Sequence, residues 1–251
     1  MSPLAQALAA TIVISLISFI GVVFAFSKRW SEHSGMLLLS FAAGVLLSTV
    51  FLELFPEAIE RSGGNGRVFG ASLVAMIGFF FLERVLHGFH VHEEGRAVAS
   101  RYMILVGDGV HNFVDGVVVA ASFLAGPVVG LTTTLAVIAH EIPQEIADYG
   151  ILVRSKLSPR SALLLNFASG LTAVVGTVTC FYFRDLVEPN IGWFLTATAG
   201  MFIYIAASDL IPELHKAEHR HQWIYTAPFI LGIALMAALT AWVGEGHAAG
   251  S

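Results

Sequence analysis

The sequence predicts an all-α membrane protein of eight transmembrane helices, built as an inverted repeat with both termini outside. Three observations predict it. The 251 residues are 56% hydrophobic and 12% charged, about half the charge of a soluble domain. Apolar runs long enough to cross a bilayer, roughly 20 residues each, recur eight times. Paired motifs in those runs read in opposite directions across the membrane.

The eight runs lie at about 3–26, 35–56, 67–88, 101–124, 128–153, 159–183, 191–213 and 222–243. The first, Leu4–Phe26, is too long and too evenly apolar for a cleaved signal peptide and has no basic segment before it, so it is expected to be retained. Glu83 and Arg84 are expected to end span three at the membrane surface. Ala125-Gly126-Pro127 joins spans four and five so tightly that they must form a neighbouring antiparallel hairpin. With the N-terminus outside, the cytoplasmic side holds Lys28, Arg29, Arg84, Arg96, Arg101, Arg154, Lys156, Arg160, Lys216 and Arg220, against Arg61, Arg67 and Arg184 outside. Ten against three in short loops is a positive-inside pattern. The chain is read as one transmembrane domain, 1–251, with a cytoplasmic His-containing loop at 87–100.

Other classes are excluded by composition. The net charge of −5 carries no nucleic-acid signal. The single cysteine, Cys180, excludes an intramolecular disulfide framework.

Span two ends in ELFPE, with Glu53, Pro56 and Glu57; span seven ends in DLIPE, with Asp209, Pro212 and Glu213. By the charge-derived topology the first lies at the outer face and the second at the inner. HNFVD (111–115) runs outward in span four, and HEIPQ (140–144) runs inward in span five.

Spans four and five carry the polar load. Asp108, His111 and Asp115 share a helix face, with Asn112 beside them. His140, Gln144 and Asp148 form one stripe, Glu141 and Glu145 the next. Six acids facing lipid, Asp209 included, would cost roughly 15 kcal/mol, comparable to a protein's whole stability. No Lys or Arg in these spans neutralises them. Either several are protonated, or they face water, or a cation binds them. Imidazole with carboxylate and amide oxygen suits Zn²⁺, Fe²⁺ or Mn²⁺, which favours the cation. Pro143 removes a backbone hydrogen bond to Ala139 and is expected to kink the helix over a cavity.

Blander readings fit these residues less well. A lone intramembrane histidine most often packs between helices; two, with several acids, do not fit that. Haem ligation by His111 and His140 would need apolar walls. A zinc protease needs His-Glu-x-x-His on one helix, and Gln144 stands at the fifth position. Glu53, Glu57, Asp209 and Glu213 are either interface charges or part of a metal path. His87, His90 and His92 are a solvated tract or a weak metal-capture loop; His215, His219 and His221 share that choice.

HNFVDG (111–116), HEIPQEIADYG (140–150) and AGMFIYIAASDLIPE (199–213) resemble helices four, five and seven of the ZIP (Zrt/Irt-like) divalent metal transporters, in the branch whose fifth helix reads HEIPHE. The resemblance covers the transmembrane core. It implies an inverted-repeat ZIP transporter fold and a binuclear-like midplane site. On the family motif, His111, Asn112, Asp115, His140, Glu141 and Gln144 match the ligands, and Glu145 and Asp148 match further positions. Two departures follow: Gln144 replaces a histidine, and SGLTAVVG (169–176) lacks the glutamate many relatives carry in helix six. The function implied is import of Zn²⁺, with Fe²⁺, Mn²⁺ or Cd²⁺ open, by alternating access, with Glu53 at the outer mouth and Asp209 at the inner. Glycines 107, 109 and 116 are expected to let helices pack closely. The alternatives are an intramembrane zinc metalloenzyme with Glu141 as base, or a metal sensor without flux. The expected cofactor is none beyond the transported Zn²⁺. The partners are the metal ion and the lipid bilayer, with a homodimer open and no nucleic acid; the plasma membrane is the default location.

Overall fold

A computed structural model describes residues 1–20, 32–88, 96–154, 157–215 and 222–248. The described residues form helices and turns only. They make eight successive rods, one for each apolar run. Span one is Pro3–Ile17, capped by the Ser2 hydroxyl accepting from the Ala5 amide with Pro3 in the first turn. Span two runs from Glu32 through a π-helical turn, Val50–Leu54, to Arg61. Span three is Gly66–Gly88, span four Arg96–Ala125 and span five Pro127–Arg154. Span six is two helices in line, Pro159–Gly170 and Thr172–Tyr182. Span seven runs from Arg184 through a π turn at Ala206–Leu210 to His215, and span eight is Gln222–Ala248.

Four of these rods, over Gly35–Arg61, Pro159–Tyr182, Arg184–Ser208 and Ile224–Ala241, are long and apolar enough to cross a membrane by length and composition; two shorter apolar helices are Pro3–Ile17 and Gly66–Leu82. Spans four and five have the length but carry the acids. The surface confirms the solvent. Leu73, Val74, Leu164 and Leu231 are each at least 60% exposed, while Asp115, Glu141 and Glu145 are buried to 1% or less. Apolar side chains outside and carboxylates inside is the arrangement a bilayer demands.

The rods sort into two groups. Spans one, four, five and six pack on one another, and spans two, three, seven and eight do the same. Between the groups, span two meets span five and span seven meets span four. Exchanging one with six, two with seven, three with eight and four with five reproduces these principal pairings, as the inverted repeat requires. Close approach is set by glycine. A Cβ on Gly116 would lie 1.9 Å from the Ala173 carbonyl oxygen of span six, and one on Gly200 would lie 2.2 Å from the Ser72 carbonyl of span three. Gly109 differs from the sequence expectation: a methyl there meets only ordinary contacts at 3.7 Å.

Span five is helical from Pro127 through Pro143 to Arg154. π turns directly precede Pro56 and Pro212. In each case an α-helix would need the proline to donate a hydrogen bond it lacks. The preceding residue donates five back instead, Phe55 to Val50 and Ile211 to Ala206, widening the turn. Glu53 and Asp209 both stand fourth in these π turns. Of the loop expected at 87–100, residues 87–88 end span three and 96–100 begin span four; 89–95, with His90 and His92, lie outside the described residues, as do His219 and His221.

Candidate metal centre

Span four presents His111 and Asp115 one helical turn apart, and span five presents His140 and Glu141. Hairpin packing of the two spans brings the four together. His140 Nε2 lies 3.2 Å from Asp115 Oδ2, 3.4 Å from His111 Nε2 and 3.6 Å from Glu141 Oε1. His111 Nε2 lies 3.5 Å from Glu141 Oε1 and 3.7 Å from Asp115 Oδ2. One ligand atom from each residue falls within 4.8 Å of all the others. A tetrahedral zinc with bonds of about 2.0–2.1 Å holds its ligand atoms about 3.3 Å apart. The spacing here is close to that of a zinc coordination shell.

The hydrogen bonding gives the cluster its sign. His140 Nδ1 donates to the Ala136 carbonyl oxygen at 3.0 Å. That bond turns Nε2 toward the cluster, and in the neutral ring leaves it a bare lone pair. It then faces carboxylate oxygens and a second imidazole, all acceptors unless a proton or a cation intervenes. Both Glu141 oxygens, Asp115 Oδ1 and Asn112 Oδ1 are buried without a hydrogen-bond partner. Each such orphan costs about 1–3 kcal/mol, more when charged. A divalent cation would satisfy them together.

Asp108, Glu141 and Glu145 form a second group on the same two helices. Asp108 accepts from Asn112 Nδ2 at 2.8 Å and from Ser169 of span six. Glu145 accepts from Ser18 of span one and from Asn166 of span six. The carboxylates of this group, Glu141 apart, are therefore held by neutral donors. Glu141 belongs to both groups and is held by none.

Among the residues singled out from the sequence, the structure brings together His111, Asp115, His140 and Glu141, with Asn112 buried at their side and Glu145 in the second group. Gln144 and Asp148 are half-buried further along span five. Glu53 is buried in its π turn; the Asp209 and Glu213 side chains lie outside the described set. Span six contributes Asn166 and Ser169 where a glutamate was sought. Sequence reasoning missed these two and Ser18. A serine or asparagine in an apolar helix carries too weak a signal to name its partner from the next helix.

Together the fold and the cluster define a multi-pass α-helical membrane protein with a buried group of two imidazoles and two carboxylates at metal-ligand spacing. The family model described as ZIP zinc transporter matches residues 4–102 and 90–240, and the chain belongs to that family. It is 36% identical over 195 residues, 72% of this chain, to zinc transporter ZIP13 of Pongo abelii. It is 42% identical over 123 residues, 49% of this chain, to zinc transporter ZIP4 of Homo sapiens. It is 35% identical over 131 residues, 52% of this chain, to zinc transporter ZIP10 of Danio rerio. The matches span 59%, 19% and 16% of those proteins' own lengths.

Proposed function

We propose that this protein carries Zn²⁺ into the cytoplasm, and other divalent ions such as Fe²⁺, Mn²⁺ or Cd²⁺ less selectively, by alternating access. The observation that carries the reading is the convergence of His140 Nε2, His111 Nε2, Asp115 Oδ2 and Glu141 Oε1 at zinc-like spacing inside an apolar bundle. The transporter names of the relatives support flux over enzymatic cleavage.

In this reading His111, Asp115, His140 and Glu141 replace the ion's water shell, and the free Asn112 Oδ1 and Gln144 supply neutral oxygen nearby. Glu141, shared by both groups, passes the ion toward Asp108 and Glu145, with Asp148 beyond. Glu53 and Asp209, in matching π turns, flank the two mouths. All of the central ligands ride on spans four and five, within the group that also holds spans one and six. Motion of that group against the other would carry the intact site between the two faces. The positive-inside pattern orients the chain, the inward direction is what the resemblance to the ZIP family implies, and the plasma membrane is the working location.

Purified protein in proteoliposomes containing a zinc-sensitive dye tests this. Saturable influx in the wild type, lost in the His111→Ala/His140→Ala variant, is the expected result. Stoichiometric zinc binding without influx would replace the transporter by a sensor.

A further inference from the structure

Of the four clustered side chains, His111 is 15% exposed and the other three 1% or less. The centre therefore has one accessible side, at His111. The ring standing against that side is Phe79 of span three, edge-on to the imidazole with centroids 6.4 Å apart and planes at 81°. On the sealed side Phe202 of span seven meets His140 at 5.9 Å. Both distances lie in the range of favourable aromatic pairs.

Neither phenylalanine belongs to the group of spans that bears the ligands. Span three packs chiefly on span seven and touches span four only sparingly. Phe79 is steadied from its own side by Tyr204 of span seven, 6.3 Å away. The two histidines also differ in support. His140 is fixed by the Ala136 carbonyl. Among the described residues, the close polar contacts of His111 are with His140, Asp115 and Glu141, and Phe79 packs edge-on against its ring.

We infer that Phe79 is a positioning residue for the metal centre: it orients the His111 imidazole and partly covers the accessible side of the site from the opposite helix group. This rests on the transport reading for its purpose, but not for its test. When the two groups shift, Phe79 stays with span seven while His111 leaves with span four. The site is thus uncovered by the same motion that would transport the ion.

The experiment is histidine modification by diethyl pyrocarbonate on purified, metal-free, full-length protein, resolved by peptide mass spectrometry. It needs neither zinc nor flux, so it can fail while uptake succeeds, and the reverse. The expected result is that Phe79→Leu labels His111 about three- to tenfold faster than wild type, the scale of one lost aromatic pair. Phe79→Tyr keeps the wild-type rate, and His140, behind Phe202, is unchanged in both. Equal His111 rates in wild type and Phe79→Leu overturn the inference. So does an acceleration shared by His140, because it reports general loosening, and so does failure of Phe79→Tyr to restore protection.

Discussion

The Nε2 atoms of His111 and His140 lie 3.4 Å apart, although 29 residues separate them in the chain. With the Nδ1 of His140 committed to the Ala136 carbonyl, the neutral rings leave at most one proton between the facing nitrogens. Asp115 and Glu141 crowd the same point. Such an arrangement is stable when positive charge sits at its centre.

Removing either imidazole should therefore weaken zinc binding far more than it weakens the fold. His140→Ala is expected to lower zinc affinity at least tenfold, and more than 100-fold if a second ligand is lost with it, by analogy with the effects of disturbing a metal's supporting groups. Competition against a chelating dye on the purified protein reads this. Unchanged affinity would remove His140 from the site.

Metal binding should release protons. A bound divalent ion needs neutral imidazole and ionised carboxylate, so affinity must fall on acidification. Calorimetry of zinc binding in buffers of different ionisation enthalpy measures the protons released. The His111→Ala/His140→Ala variant should release fewer.

Asn166→Ala should destabilise the protein without touching the four-residue cluster. Glu145 is buried, and Asn166 supplies one of its two hydrogen-bond donors, Ser18 the other. An orphaned buried carboxylate oxygen costs about 1–3 kcal/mol. The melting temperature in detergent should drop measurably, while zinc affinity changes little.

Two glycines two turns apart on one face of span four should behave oppositely. Gly116→Ala forces a methyl into the Ala173 carbonyl, so it should destabilise by about 1–3 kcal/mol through overpacking. Gly109→Ala has room and should be close to neutral or slightly stabilising in a helix. Thermal melts of the two variants side by side decide it.

The sequence by itself determined the material and the broad plan. Eight apolar runs, the turn Ala125-Gly126-Pro127 and the paired proline motifs are local patterns, and the bilayer leaves few structures that satisfy them. His111, Asp115, His140 and Glu141 were legible because ionisable residues in such runs are expensive and stand out. What only the tertiary structure decided depends on which helices touch. It set π turns before Pro56 and Pro212, since a proline's effect depends on whether neighbouring spans accommodate a wider turn. It assigned Asp108 and Glu145 to a second group through Ser18, Asn166 and Ser169, whose partners are 21 to 127 residues away. It set Phe79 and Phe202 against the two imidazoles; in sequence they are two apolar residues among many, and only packing between helix groups gives them a neighbour worth naming.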